Sequence, residues 1–133
     1  MRIVICRPEE AAHVWHHAER CLAGTLELIK DTHLPHDVLA AILKGEMFLF
    51  LAIEGDKIVG ATVCHFMFYP RMKALLVFLG GGTDMPSWVT QMDEAHQQFA
   101  RAQGCGRLEI VGRPGWERAA GYRKTGVALV KGL

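Results

Sequence analysis

Three groups of residues carry chemistry by their type and spacing. Gly80-Gly81-Gly82-Thr83-Asp84 follows an apolar run and precedes an amphipathic stretch. A helix N-terminus offers free N–H groups and the positive end of a dipole, so a glycine turn leading into it can hold phosphate. Glycine matters there because a side chain would keep a ligand off the backbone. The same run is equally an ordinary turn or bulge. His13, His17 and Cys21 follow i, i+4, i+8, which sets metal ligands on one helical face. On a helical wheel His13 and His16 fall away from the apolar stripe, so a solvated face without metal is the expectation. Finally, Trp116 stands between Arg113 and Arg118. Stacking platforms for nucleic acid use several exposed aromatics, so a nucleic-acid partner is not expected from one.

These residues need elements to position them. Arg2 to Cys6 reads as a first strand. Pro8 opens a helix whose apolar side is Ala11, Val14, Ala18, Cys21 and Leu22. A second helix is predicted from about Leu34 to Lys44, started by Pro35 and stopped by Gly45. Met47 to Ile53 and Ile58 to about Tyr69 form a hairpin around Glu54-Gly55-Asp56-Lys57. Ala74 to Leu79 is a fourth strand, buried on both faces. The glycine turn then enters a helix from about Pro86 to Gln103, with Trp88, Met92, Ala95, Phe99 and Ala102 as its stripe. A strand over Arg107–Val111, a short helix over Pro114–Ala120 and a last strand over Thr125–Lys131 complete the order. That order, β-α-α-β-β-β-α-β-α-β, predicts one α/β domain spanning 1–133 with a mixed sheet.

Composition bounds the function. The chain has 133 residues, 50% of them hydrophobic, which suits one folded domain and excludes intrinsic disorder. The longest strictly apolar run, Met47 to Ile53, is far short of the ~20 residues that span a bilayer. Arg7 and Pro8 arrive too early for a signal-peptide core, so a cytoplasmic protein without membrane contact is expected. The four cysteines at 6, 21, 64 and 105 form no CxxC pair and read as free thiols. Trp15, Trp88 and Trp116 are expected in the core. Net charge is +1, but unevenly placed: residues 1–100 sum to −4 and residues 101–133 to +5. A positive field near the C-terminal end suits an anionic ligand.

The element order, together with Ala119-Ala120-Gly121-Tyr122-Arg123-Lys124-Thr125-Gly126-Val127, resembles the GNAT superfamily of N-acetyltransferases and its A…Y-E-K-x-G-F signature. Arg7-Pro8-Glu9-Glu10 resembles the usual family start, and Ala52 to Gly60 its A-x-x-x-G-x-I-V-G hairpin. The resemblance implies a GNAT-like, mostly antiparallel sheet with flanking helices. It also implies acetyl-CoA as cofactor and an amine, on a small molecule or a protein, as acyl acceptor. The family's pyrophosphate loop reads R/Q-x-x-G-x-G/A, where this chain has Gly80 to Ser87 with Asp84 inside it. The ending Val111 to Arg118 is also similar to that of small GNAT-like proteins of tailed phages, some of them non-catalytic. A virion component with virion partners is therefore the alternative. GNAT-like domains often dimerise, so a homo-oligomer is a further expectation.

Roles follow from the same resemblance. Tyr122 takes the place of the tyrosine that protonates the departing thiolate. A backbone N–H around Phe78 or Leu79 takes the oxyanion position, and Gly81, Gly82 and Thr83 are the backbone donors to pyrophosphate. Acyl transfer also needs a base for the ammonium. No carboxylate lies in Ala74–Leu79, which leaves Glu109 and His65 as candidate bases, each with a structural reading beside it.

Overall fold

A computed structural model, describing residues 1–112 and 120–133, contains a five-stranded sheet in the order β1-β2-β3-β4-β5. The strands are β1 (Arg2–Ile5), β2 (Phe48–Glu54), β3 (Lys57–Phe68), β4 (Lys73–Gly82) and β5 (Arg107–Ile110). The first four pair antiparallel, and β5 joins β4 in parallel. The helices are α1 (Pro8–Leu28), α2 (Pro35–Leu43) and α3 (Val89–Ala102).

Alternation along the strands separates two cores. Leu49, Leu51, Ala61 and Val63 face α1 and α2, meeting Trp15, Ala18, Leu22, Val38 and Ile42. Phe50, Ala52, Cys64, Leu75 and Val77 face the other way, against Trp88 and Met92 of the α3 layer. Trp15 and Trp88 are core residues, as their size predicts. The mixed α/β order expected from the sequence is present from β1 to β5.

Three elements differ from expectation. The glycine run is not a turn: Gly80, Gly81 and Gly82 continue β4 and pair with Thr62, Ala61 and Gly60 of β3. The helix expected from Pro86 starts at Val89, after a 3-10 turn over Met85–Ser87. Its cause is local, since the amides of Ser87 and Trp88 bond back to the carbonyls of Asp84 and Met85. The buried Trp88 indole N–H also donates to the Thr83 carbonyl at 3.0 Å. The strand expected over Thr125–Lys131 does not form. Val127, Leu129 and Val130 stand exposed, and no strand pairs with them among the described residues. Extended propensity without a ladder partner does not make a strand. Apart from Ala120, the helix expected over 114–120 lies outside the described residues. So do Arg113, Trp116, Arg118 and Ala119. Among the described residues no helix is long and apolar enough to cross a membrane.

Candidate functional site

The site begins with an irregularity in β4. Val63 pairs with Leu79 and Cys64 with Val77, so Phe78 is an extra residue, a β-bulge. Its effect is visible in the packing: Val77 belongs to the α3 core, whereas Phe78 and Leu79 both lie with α1 and α2. Parallel pairing with β5 ends at the same point, the Val111 amide bonding to the Val77 carbonyl at 3.3 Å. Beyond it β4 runs on to Gly82 without β5 among the described residues. Past the bulge the edge of β4 that faced β5 therefore carries no strand among the described residues.

Two histidines flank the bulge. The Phe78 ring makes edge contacts with His65 of β3 at 5.5 Å and with His33, from the α1–α2 connection, at 5.1 Å between centroids. His65 Nδ1 lies 3.2 Å from the Phe66 carbonyl, which only accepts, so Nδ1 carries the proton of the neutral ring. Thr32 donates its hydroxyl hydrogen to the Ile29 carbonyl and therefore accepts from His33 Nδ1 at 2.9 Å. With Nδ1 the donor, Nε2 is the nitrogen left in both rings to act as an acceptor or base. They border a groove of about 580 Å³ that also takes in Glu46, Met47, Phe68 and Phe78. Of this pair, His65 was expected as a candidate base. His33 carries no such signal, since no local pattern pairs it with a residue 32 positions on.

Glu109, the other candidate base, is already engaged. It accepts from the Tyr69 hydroxyl at 2.8 Å and from Arg107 at 2.7 Å. Tyr122 lies on the opposite face. Its hydroxyl donates to Asp93 of α3 at 3.0 Å, while Gln97 bonds the other carboxylate oxygen at 2.7 Å. Burial first, then the Asp93 charge and hydrogen bond, push the Tyr122 phenol well above its ordinary range. The structure thus joins His65 to the Phe78 bulge and leaves Glu109 and Tyr122 apart from that pair.

The glycines answer to packing. A Cβ on Gly81 would stand 2.5 Å from the Cys21 carbonyl oxygen of α1, and one on Gly82 would stand 2.3 Å from that of Val59. Gly60 is needed equally, since its Cβ would meet the Trp88 ring at 2.5 Å. The Thr83 amide is spent on the Val59 carbonyl at 2.9 Å, and the Gly80 carbonyl accepts the Thr25 hydroxyl at 2.8 Å. His13 and His17 lie exposed on α1, and among the described residues no group of three His, Cys, Asp or Glu side chains could hold a metal. The cysteines are free thiols, and burial raises the pKa of all four.

One polar group escapes the sequence pattern. His96 is fully buried in α3, its Nε2 2.8 Å from Thr62 Oγ1, and its Nδ1 has no partner among the described residues. Burial lowers its pKa to about 4. The helix buries Val89, Met92, Asp93, His96 and Ala100, a stripe rotated from the all-apolar one and leaving Ala102 exposed. A polar residue at the i, i+3/i+4 spacing of Met92 and Ala100 was the signal for it.

This architecture is the GNAT acetyltransferase fold. Solved structures superpose over the whole chain. A probable acetyltransferase aligns with TM-score 0.73 at 13% identity, covering 100% of this chain and 97% of that one. An aminoglycoside acetyltransferase from an uncultured soil metagenomic sample, solved with sisomicin, aligns with TM-score 0.68 at 13% identity, covering 99% and 95%. The aminoglycoside N-acetyltransferase AAC(6')-Iy, solved with CoA, aligns with TM-score 0.67 at 13% identity, covering 99% and 93%. The sequence matches no family model and no curated protein. Likeness at this identity defines the fold, and function must be argued from the site.

Proposed function

We propose that the chain is an acetyl-CoA-dependent N-acetyltransferase whose acceptor amine occupies the groove beside the Phe78 bulge. The observation that carries this reading is the bulge itself, flanked by two imidazoles with Nε2 lone pairs. The coenzyme's two ends fit unequally. The β4 edge beyond its pairing with β5 suits the thioester arm. The segment from Gly81 to Thr83 suits diphosphate poorly, because its amide and its glycine faces meet protein backbone and Asp84 adds negative charge. When bound, acetyl-CoA supplies an acetyl thioester, whose transfer forms the amide N–C bond and breaks the C–S bond.

The chain's own residues then have distinct tasks. His65, through Nε2, takes the proton from the acceptor ammonium, with His33 able to serve across Phe78. An amide at Phe78 or Leu79 donates to the developing oxyanion. The departing thiolate takes its proton from water, because the Tyr122 hydroxyl lies on the opposite face and gives its hydrogen to Asp93. Release of free thiol, followed with a chromogenic disulfide over a panel of primary amines, tests the reading. We expect His65→Gln to lower turnover by about 10²-fold, and no thiol release with any amine would defeat the proposal.

A second reading rests on the occupied glycine run. A GNAT-fold protein without a diphosphate grip could act by protein contact, for instance as a phage virion component. Calorimetry separates the two: no heat with acetyl-CoA at millimolar concentration favours this second reading.

A further inference from the structure

The groove at the bulge has a chemical character of its own. At about 580 Å³ it is within the size range of small-molecule sites. Its walls are largely aromatic and apolar, with Phe66, Phe68, Phe78 and Met47 among the lining side chains. Phe68 is 78% exposed, and an aromatic ring left in water beside a concavity adds nothing to the core. Among the described residues its charged or ionisable groups are two imidazoles and one carboxylate, that of Glu46, which forms no ion pair there. No lysine or arginine lines it among the described residues.

We propose that this groove binds a primary amine carried on an aromatic or apolar body, an arylalkylamine, and discriminates against polyhydroxylated polycations. The aromatic faces attract an ammonium and cover an apolar ring. One carboxylate matches one ammonium. A polycationic sugar would leave its other ammonium groups without counter-charges, and its hydroxyls would face apolar walls instead of water. As an acceptor site the groove rests on the acyltransferase reading; as a binding site it can be measured without turnover.

The test titrates the full chain with 2-phenylethylamine, 2-phenylethanol and sisomicin, following His33 and His65 ring signals by NMR. We expect 2-phenylethylamine to saturate at millimolar concentration, with affinity about fivefold above that of the neutral alcohol. Sisomicin is expected to bind at least about tenfold more weakly, its extra polar groups being unpaired. Phe68→Ala and Glu46→Gln change exposed side chains and should weaken 2-phenylethylamine by about threefold to tenfold and about threefold, respectively. Equal affinity for the alcohol, tighter binding of sisomicin, no saturation, or no change in either variant would each overturn the proposal. Binding of 2-phenylethylamine with no thiol release from any amine would remove the acyltransferase reading and leave the groove's selectivity standing. Preferential acetylation of sisomicin would do the reverse.

Discussion

Acidification should destabilise this protein through one residue, His96. Its ring is enclosed by Phe50, at 4.8 Å between centroids, by the Thr62 hydroxyl, and by the α3 backbone. Protonation would put a second N–H on a ring whose Nδ1 has no partner among the described residues. Burial therefore lowers the folded pKa to about 4, from 6.5 in the unfolded chain. Between these values the unfolded state binds more protons than the folded one, so stability rises with pH across that window. Neutral His96 contributes fully above about pH 6.5, and its contribution falls as the pH drops toward 4. The full window is worth about 3 kcal/mol at ~1.4 kcal/mol per tenfold, of which about 2 kcal/mol is lost between pH 7 and pH 5. For a domain of this length that is roughly 7 °C in Tm. Urea unfolding followed by circular dichroism at both pH values measures it, with His96→Gln as the control. The glutamine can keep a bond to Thr62 but cannot titrate, so the pH dependence should flatten by about 2 kcal/mol relative to the parent. Equal slopes in parent and variant would refute the reasoning.

Further outcomes follow from the same geometry. Gly81→Ala places a methyl against the Cys21 carbonyl and should lower stability by about 1–3 kcal/mol in urea unfolding, as overpacking does. Gly24→Ala is the opposite case: nothing lies within 4 Å of its Cβ on the exposed side of α1, and helix propensity predicts a gain of about 1 kcal/mol. Tyr122→Phe removes the hydrogen bond to Asp93 and leaves a buried carboxylate oxygen unpaired, at a cost of about 1–3 kcal/mol. Because the Tyr122 hydroxyl is bonded to Asp93 on the face away from His65, turnover of the folded variant should stay within about threefold of the parent's, and a loss of about 10²-fold would make Tyr122 the general acid after all.

Much of the fold was legible because it is written in local periodicity. The hairpin of β2 and β3 follows from two extended runs around Glu54-Gly55-Asp56-Lys57, and α2 from Pro35, its Val38/Ile42 stripe and Gly45. The site was less legible. His65 could be named from the sequence, but its neighbours at the bulge come from the α1–α2 connection and from β4. No spacing rule connects such segments, because their proximity is set by how the sheet twists and how the helices pack.

Amino-acid order alone determined the alternation, the helix stripes and the GNAT resemblance, since each depends on residues a few positions apart. The tertiary structure decided what the glycines are for. A phosphate turn and a close-packed strand end share the same three letters, and only the Cys21 and Val59 carbonyls lying over them select the second. It also decided the fate of Thr125–Lys131, where strand-forming residues stand in solvent because β propensity needs a partner's hydrogen bonds. And it buried His96, a polar residue on a helix whose enclosing Thr62 and Phe50 come from strands more than 30 positions away.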